Sequence, residues 1–342
     1  MIKGTKLVRS MKMISFFLTR LTTGLLLAGL TLTAGAAPKK VLVVTVTYGF
    51  RHSSIATAEK VLAKIGQESG AFTVDFVQQP PNKPNASPPQ PPRKPTEPKN
   101  DGDDAKFKKA LEKYDADLKK MPAAEEKYKT DLAKFKEDEA RLKAAAADWD
   151  STQQKGLAKL SPDSLKNYDA VIFANTTGDL PLPDKQGFID WVKAGHGFVA
   201  MHSGSDTFHG YRPYIEMLGG EFETHGAQEK VDCLNKDPQH PATKHFGASF
   251  DIGGKKEEIY IIKSYDPTTV HELLVLDQHP NTKKPGHYAM SWCKEFGQGK
   301  VFYTSLGHNE YVWEMPEYQQ HILGGIKWAL GLEKGDATPQ AK

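Results

Sequence analysis

Short apolar runs alternate with amphipathic stretches along most of the chain. Runs of mostly apolar residues, typical of strands buried on both faces, occupy residues 41–46, 170–174 and 197–201. Residues 54–67 carry apolar side chains at helical spacing, which predicts a helix. A second amphipathic stretch follows Asp184. Residues 72–77 alternate as a strand does. Strands and helices that alternate with short connections predict an α/β fold, with helices on both faces of a mostly parallel sheet.

The last third of the chain is richer in strand patterns. Predicted strands occupy residues 230–234, 258–262, 272–277, 288–293 and 300–304, and a Gly-Gln-Gly turn at 297–299 joins the last two as a hairpin. Residues 318–330 then predict a closing helix, and the tail 333–342 is predicted to be disordered. The α/β domain is therefore expected to comprise residues 38–79 and 159–332.

A long insertion separates the two parts of this domain. Nine of the 22 prolines lie in residues 80–98, which predicts an extended polyproline-like linker. Residues 99–158 are dominated by Ala, Lys, Glu and Asp, and their large apolar residues step by four and three on both sides of Pro122, with Glu139 interrupting the stripe. This imperfect coiled-coil seam favours an inserted antiparallel helical hairpin; one solvated helix or disorder is the alternative. We expect the module to be removable by deleting residues 80–158, and a role in docking a protein partner is a hypothesis.

The N-terminal residues form a segment of different character. Residues 1–37 combine a basic start, an apolar run and the small residues Ala34, Gly35 and Ala36, which predicts a cleaved signal peptide and export to the periplasm or medium. An uncleaved anchor is the alternative, although the run is short for a stable membrane span. The net charge of +3, from 45 basic and 42 acidic residues, argues against a nucleic-acid partner. The two cysteines, Cys233 and Cys293, are compatible with a disulfide or with two separate thiols.

Polar residues of chemically useful types follow four of the predicted strands. The candidates at these strand ends are Arg51, His52, Asp179, His202, Asp206, His308 and Glu310. Two further loops add His225 and His240. Because ligands of such sheets bind outside the carboxyl ends of the strands, these residues mark the expected site.

The same segments resemble ThuA-like (trehalose utilisation) domains. The resemblance is carried by Gly49-Phe50-Arg51-His52, Thr177-Gly178-Asp179, His202 with Ser205-Asp206-Thr207-Phe208, Leu218-Gly219-Gly220, Asp237-Pro238 with His240-Pro241, and Leu306-Gly307-His308. It covers residues 39–79 and 160–331 and leaves the insertion outside. It implies a flavodoxin-like fold of the class I glutamine amidotransferase-like superfamily and a link to trehalose or keto-sugar utilisation. Amidotransferase chemistry is not expected, because His202-Ser203 stands where that chemistry needs a cysteine elbow.

Three kinds of chemistry fit these residues. His52, His202, His240 and His308, with Asp206, can bind a divalent transition metal. Alternatively, His202, Asp206 and His308 act as general acid and base without a metal, or Ser203 acts as a nucleophile. Substrate-binding roles are assigned to Arg51, His52, Asp179, His225, His240 and Glu310.

Each candidate also has a purely structural interpretation. Asp206 caps the following helix in that case, and Arg51 pairs with Asp179. Trp292, Tyr311 and Trp313 are either a sugar-stacking wall or part of the core.

The expected function is that of an exported enzyme of sugar metabolism. It would act on a disaccharide or keto-glycoside as an isomerase, lyase or hydrolase, with a small sugar as its partner and without a nucleotide cofactor. The alternative from another class is a non-catalytic carbohydrate-binding domain that serves a partner enzyme.

Overall fold

The structure of the protein is a computed structural model that describes Met1 and residues 37–340. The predicted signal peptide, residues 1–37, therefore lies almost entirely outside the described residues. Among the residues that are described, no helix is long and apolar enough to cross a membrane.

Eleven strands and seven helices are formed by the described residues. In chain order the strands β1 to β11 are Lys39–Val44, Phe72–Val77, Ala170–Ala174, Gly197–Met201, Glu221–His225, Cys233–Asn235, Ser249–Phe250, Tyr260–Lys263, His271–Gln278, Pro285–Phe296 and Gly299–Thr304. The helices α1 to α7 are Ile55–Ser69, Asp104–Leu157, Pro162–Leu165, Lys185–Lys193, Arg212–Leu218, Glu310–Glu314 and Pro316–Ala329. Short 3₁₀ turns join several of them, including His202–Asp206 directly after β4.

Nine strands form one sheet in the order β2-β1-β3-β4-β11-β10-β9-β6-β7. The first five are parallel to one another, and the last four pair antiparallel. The predicted α/β class with a large, mostly parallel sheet is confirmed. In chain order the parallel strands lie as 2-1-3-4-5, so the carboxyl ends of β1, β3, β4 and β11 are neighbours along one edge.

Alternate side chains of the parallel strands bury two separate faces. In β1, Val41 and Val43 belong to one core, together with residues of α1 and α7, whereas Leu42 and Val44 belong to the other, together with residues of α4 and α5. Strands that are apolar on both faces therefore need a helix layer on each side, which is the arrangement expected from their continuous apolar runs.

A second sheet of two strands covers part of the carboxyl edge. β5 and β8 pair antiparallel, with His225 opposite Tyr260. This small sheet packs against β10 and against the 3₁₀ turn after β4. It places the residues just before β8 beside the ends of the parallel strands.

The predicted helical hairpin is wrong: residues 104–157 form one continuous helix, α2, with Pro122 inside it. Pro122 removes a single backbone donor, and no Gly or Asn follows that would reverse the chain. The flanking Met121, Ala123 and Ala124 favour helix. At 1.5 Å per residue, 54 residues make a rod of about 80 Å.

The proline-rich segment, and not a second helix, accompanies this rod. Residues 78–103 have no helix or strand, and their ends meet opposite ends of α2. Trp149 Nε1 donates to the carbonyls of Pro80 and Pro81 at 2.9 and 3.2 Å, and Lys106 Nζ lies 2.6 Å from an Asp101 carboxylate oxygen. In polyproline conformation these 26 residues also span about 80 Å, so the two arms run side by side.

The burial pattern of the linker agrees with this arrangement. Half-buried prolines recur every third residue, at Pro89, Pro92, Pro95 and Pro98, as expected for a three-residue turn with one side against the helix. The apolar seam of α2 is thus paired with an extended arm. We call the two arms together, residues 78–148, the stalk.

The last turns of α2 belong to the α/β domain. Trp149, Gln153 and Leu157 are buried, and Leu157 packs in the same core as Leu42 and Val44. The insertion therefore does not end at residue 158, because its final turns supply the helix that leads back into the sheet before β3. Deleting residues 80–158 would remove part of the core.

The C-terminal tail also differs from its prediction. Residues 333–340 lie against the domain: Glu333 pairs with Lys244 at 2.9 Å, Trp328 Nε1 donates to the Gly335 carbonyl, and His271 Nδ1 donates to the Thr338 carbonyl at 2.7 Å. The prediction of a disordered tail is wrong for these residues. Cys233 and Cys293 are both buried free thiols, so they form no disulfide.

Candidate functional site

Three histidines from three strand ends meet at the carboxyl edge of the sheet. His52 follows β1, His202 follows β4 and His308 follows β11. His52 Nε2 lies 3.2 Å from His202 Nε2, and His308 Nδ1 lies 3.3 Å from the same nitrogen. His202 is therefore the centre of the group, and it is completely buried.

Glu258 completes the group from the small sheet. Its Oε1 lies 3.2 Å from His308 Nδ1 and 3.7 Å from His202 Nε2. One ligand atom from each of His52, His202, Glu258 and His308 lies within 4.8 Å of all the others. Among the described residues this is the group of histidine, cysteine and carboxylate side chains close enough to hold a metal ion.

The spacing of these four atoms matches a metal site. Ligand atoms that are 2.0–2.1 Å from a tetrahedral ion are about 3.3–3.4 Å from one another. Four of the six separations among these atoms, 3.2, 3.2, 3.3 and 3.7 Å, lie around that value, and the other two do not exceed 4.8 Å. Three imidazoles with one carboxylate suit a first-row divalent metal better than Ca²⁺ or Mg²⁺, which prefer oxygen ligands throughout.

Hydrogen bonds behind the group leave a ring nitrogen available. His202 Nδ1 lies 2.8 Å from the Ser305 carbonyl, which can only accept, so Nδ1 carries the proton and Nε2 presents its lone pair to the group. His52 Nδ1 lies 3.3 Å from Ser203 Oγ, so its Nε2 also faces the group. Such partners fix the tautomer and orientation of a metal-binding histidine.

Burial and charge act differently on the three histidines. Burial lowers the pKa of His52 to about 4, and it also lowers the pKa of His202 well below its usual value. Both rings are therefore neutral at pH 7, as ligands must be. Burial opposes charge on His308 too, but the hydrogen bond and charge of Glu258 raise the pKa of His308 overall. Burial raises the pKa of Glu258, and the His308 hydrogen bond and charge outweigh it, so that this pKa is lowered.

His202 sits in a strained backbone turn. Its φ is +47°, a left-handed conformation that is uncommon for residues other than glycine. Tyr303 Oη and Ser205 Oγ both donate to the His202 carbonyl, at 3.0 and 3.2 Å, and hold the turn. Strain of this kind is found where the surroundings impose a side-chain direction that function needs.

The segment of His308 is held by a second buried carboxylate. Glu257 Oε1 accepts from the backbone N–H groups of Gly307, at 3.0 Å, and His308, at 2.6 Å, while its Oε2 accepts from Asn309 Nδ2 at 2.6 Å. Burial raises the pKa of Glu257 although these three bonds favour its ionised form. Glu257 thus fixes the backbone of His308, and Glu258 faces its ring.

The structure brings together some of the residues proposed from sequence and separates others. His52, His202 and His308 lie in the group, and His225 is adjacent, with Nδ1 3.2 Å from Glu258 Oε2. Glu310 begins α6 and accepts a hydrogen bond from Ser53 that lowers the pKa of Glu310.

His240 lies outside the group. Its Nε2 is 3.6 Å from Cys293 Sγ, and its Nδ1 accepts from the Ala242 backbone N–H. Gly335 of the C-terminal tail covers the ring. The loop that carries His240 packs near α7 and the tail, away from the strand ends that bear the other histidines.

Three other candidates have partners of their own. The Asp206 carboxylate is held by His209, so it is not one of the four ligand atoms. Asp179 pairs with Lys185, and Arg51 donates to the Thr45 carbonyl and to Gln79 Oε1 at 3.0 and 3.1 Å. The suggested Arg51–Asp179 pair is therefore not formed.

Two of the three residues of the suggested aromatic wall do not line the site. Trp292 and Trp313 are fully buried, and they donate to backbone carbonyls of Leu218 and Gly307. They belong to the core, as the structural alternative held.

Sequence reasoning missed Glu257 and Glu258. Both follow Lys255 and Lys256 at the start of an apolar strand, a position where charged residues usually face water. The available signal was that adjacent residues at the start of a strand point to opposite faces, so one of two consecutive carboxylates would point toward the interior and need a partner there.

Comparison with known proteins agrees with this fold. A family model described as "ThuA: Trehalose utilisation" matches residues 119–329. A ThuA-like protein of Bacteroides uniformis has a similar crystal structure, with a TM-score of 0.54 and 14% identity over 88% of this chain and 95% of that one. A ThuA-like protein of Parabacteroides merdae gives 0.52 and 16%, over 86% and 90%. At these identities the likeness concerns the fold. No curated protein matches the sequence significantly.

Proposed function

We propose, from the premise that this chain belongs to the ThuA (trehalose utilisation) family, that it is a metal-dependent enzyme acting on a disaccharide or keto-glycoside. The observation that carries the proposal is the convergence of His52, His202, His308 and Glu258 within 4.8 Å. Three neutral or neutralisable imidazoles and a carboxylate packed this closely have few other uses. The cost of burying them is offset if an ion binds.

The chemistry follows from the composition of the group. A divalent metal held there would act as a Lewis acid that polarises an oxygen of the sugar. His202 and His52 serve as fixed ligands, since both are buried and oriented by Ser305 and Ser203. His308 is one-fifth exposed in its side chain and so lies at the entrance to the group.

His225 is the candidate for moving a proton. It lies outside the four-atom group, its side chain is 43% exposed, and its Nδ1 is 3.2 Å from Glu258 Oε2. A half-exposed histidine that touches a buried carboxylate can pass a proton between that carboxylate, a substrate and solvent.

A metal-free acid–base site is the second candidate. The His308–Glu258 pair favours it, because a carboxylate 3.2 Å from an imidazole is also a working proton-transfer pair. A non-catalytic sugar-binding domain is the third, and it predicts affinity without turnover.

Elemental analysis of the purified chain distinguishes these candidates. We expect about one equivalent of a transition metal, lost in His308→Ala and retained in His321→Asn, a buried histidine outside the group. Turnover of a keto-glycoside should disappear on chelation and return on adding metal. A fully active, metal-free protein would overturn the metal assignment in favour of acid–base catalysis. Sugar affinity without turnover in the metal-loaded protein would favour the binding domain.

Two finer assignments accompany the proposal. The 2-1-3-4-5 order of the parallel strands supports a flavodoxin-like core. The basic and apolar pattern of residues 1–37 supports export with cleavage after the small residues. Mass spectrometry of the protein recovered from periplasm or medium tests the second assignment, and an intact N-terminus on that material would contradict it.

A further inference from the structure

An exposed aromatic ring stands directly beside the histidine group. Phe50 is 67% exposed, and its ring contacts that of His52 edge to face, with centroids 4.9 Å apart and planes at 78°. His52 itself is 4% exposed. A ligand that approaches His52 from this side therefore contacts the Phe50 ring first.

The exposure of Phe50 is built into the loop. Tyr48 N donates to the Thr177 carbonyl at 2.8 Å, and Thr177 Oγ1 donates to the Phe50 carbonyl at 2.8 Å. A Cβ at Gly178 would lie 2.7 Å from the Tyr48 carbonyl carbon, so the two segments are in tight contact. Hydrogen bonds therefore fix the loop on both sides of Gly49. The backbone holds the Phe50 ring in an exposed position.

Leaving such a ring in water is unfavourable. Apolar surface gains free energy in proportion to the area that is removed from water. Six large hydrophobic side chains are exposed in the described part of the chain, and two of them, Tyr48 and Phe50, lie in the five residues that lead to His52. A ligand that places an apolar face on Phe50 recovers this free energy.

The surroundings define the rest of the ligand. With a divalent ion bound, the carboxylates of Glu258 and Glu310 beside His308 would balance its two positive charges, so the loaded group has no excess positive charge that would favour a phosphorylated or carboxylated ligand. His225 and His308 offer polar contacts at the mouth of the group. The ligand that fits is uncharged, has one apolar face and carries oxygens at its rim, which describes a pyranose ring with equatorial hydroxyls and axial C–H bonds.

We propose that Phe50 is the stacking platform of a sugar subsite and that it binds the C–H face of a neutral pyranoside ring whose oxygens point toward the histidine group. The proposal rests on the proposed function, because it takes the sugar to be the ligand of that group. Beyond the proposed function, it specifies which face of the sugar is bound and requires that the ligand be an intact, uncharged ring.

Calorimetric titration of the full chain with trehalose, and with sorbitol as an acyclic polyol, tests the platform. Phe50→Ala should weaken trehalose binding about 10- to 100-fold, from lost stacking and lost area. Phe50→Trp should bind within about threefold of the wild type, because it keeps a ring. Leu332→Ala, which removes an exposed apolar side chain elsewhere, should change nothing. Sorbitol should bind weakly and equally to all four proteins.

The outcomes separate this inference from the proposed function. Unchanged trehalose affinity in Phe50→Ala, or an equal loss for trehalose and sorbitol, overturns the platform while the metal content measured in parallel still supports the enzyme. A metal-loaded wild type with no affinity for trehalose or any other neutral pyranoside overturns both. A metal-free wild type whose pyranoside affinity depends on Phe50 leaves the platform standing and overturns the metal site.

Discussion

Glu257 Oε1 accepts the backbone N–H of His308 at 2.6 Å, while the next residue in the chain, Glu258, faces the His308 ring at 3.2 Å. Two consecutive carboxylates thus hold one histidine from two directions. The pair lies just before β8 of the small sheet, and the histidine follows β11 of the large one. The position of His308 therefore depends on contacts from both sheets.

Glu257→Gln should loosen this arrangement. The new amide nitrogen would meet the Asn309 Nδ2 donor across what is now a 2.6 Å hydrogen bond. We expect a loss of about 1–3 kcal/mol in the free energy of unfolding and weaker metal binding. Adding Asn309→Asp restores a donor–acceptor pair and should recover both. Unfolding and metal titrations of the single and double variants check this; undiminished metal affinity in Glu257→Gln would remove Glu257 from the positioning role.

Glu258→Gln and Asp206→Asn should differ sharply. Glu258 supplies an oxygen to the four-atom group, whereas the Asp206 carboxylate is occupied by His209. We expect metal content to fall to near zero in the Glu258 variant and to stay near one equivalent in the Asp206 variant. Elemental analysis of both proteins gives the answer. The opposite pattern would mean that Asp206, as first inferred from sequence, is the ligand.

Ser203→Ala should weaken metal binding without unfolding the protein. The hydroxyl lies 3.3 Å from His52 Nδ1 and orients the ring. Loss of such a partner typically lowers metal affinity about 10- to 100-fold. Ser291→Ala is a matched control, because its buried hydroxyl bonds the Tyr303 carbonyl away from the group. Competition with a chelator measures both affinities, and equal values would show that His52 needs no such support.

His321 should contribute to acid instability. Its Nδ1 donates to the Ala242 carbonyl at 2.8 Å, and its buried Nε2 has no partner among the described residues. Burial lowers the pKa of His321 to about 3. Below pH 6.5 the unfolded chain takes up a proton that the folded chain refuses, so stability is lost as pH falls from about 6.5 toward 3.

Replacing His321 by Asn keeps the donor and removes the titration. Between pH 6 and 4, the free energy of unfolding of the variant should fall less steeply with pH, by about 1.4 kcal/mol per pH unit at most. Urea unfolding at several pH values measures this slope. Identical slopes in the two proteins would mean that folding does not lower the pKa of His321.

The stalk should be removable if its base is kept. Joining Lys83 to Ala146 by a short Gly-Ser linker deletes residues 84–145 and retains Trp149, whose Nε1 lies 2.9 Å from the Pro80 carbonyl. We expect this variant to keep its melting temperature within a few degrees and its metal content. Deleting residues 80–158 removes Trp149 and Leu157 from the core and should prevent folding, at a cost of about 2–5 kcal/mol for each large side chain. Circular dichroism on both proteins decides; failure of the shorter deletion to fold would mean that the stalk itself stabilises the domain.

Strands and helices of the domain were predictable because their patterns are local. The runs at 41–46, 170–174 and 197–201 are apolar at almost every position, which only a doubly covered strand requires. His52, His202 and His308 could be placed near one another for the same reason, since the ends of adjacent parallel strands share an edge. The position of Glu258 could not be predicted in this way. Glu258 reaches the edge through the pairing of β5 with β8, and no local sequence pattern indicates that pairing.

The error about the insertion has a different cause. The stepping of Phe107, Leu111 and Tyr114 shows that one face of α2 must be covered. The stepping does not show which element covers that face. A second helix and a polyproline arm can both cover a narrow stripe, and in this protein the proline-rich residues 80–98, predicted as a linker, are the covering element. His240 was misplaced in a similar way, because a turn signal fixes its loop but not the face of the sheet against which the loop packs.

The division of the metal-binding candidates between two sheets has a consequence for how the domain opens. Three of the four donors are anchored to the large sheet, and the fourth enters with β8. An ion bound to all of them would act as a cross-link between the sheets. Amide hydrogens of β5 and β8 would then exchange slowly in the loaded protein and much faster once a chelator has removed the ion, so that the small sheet becomes a unit of local unfolding that the ion controls.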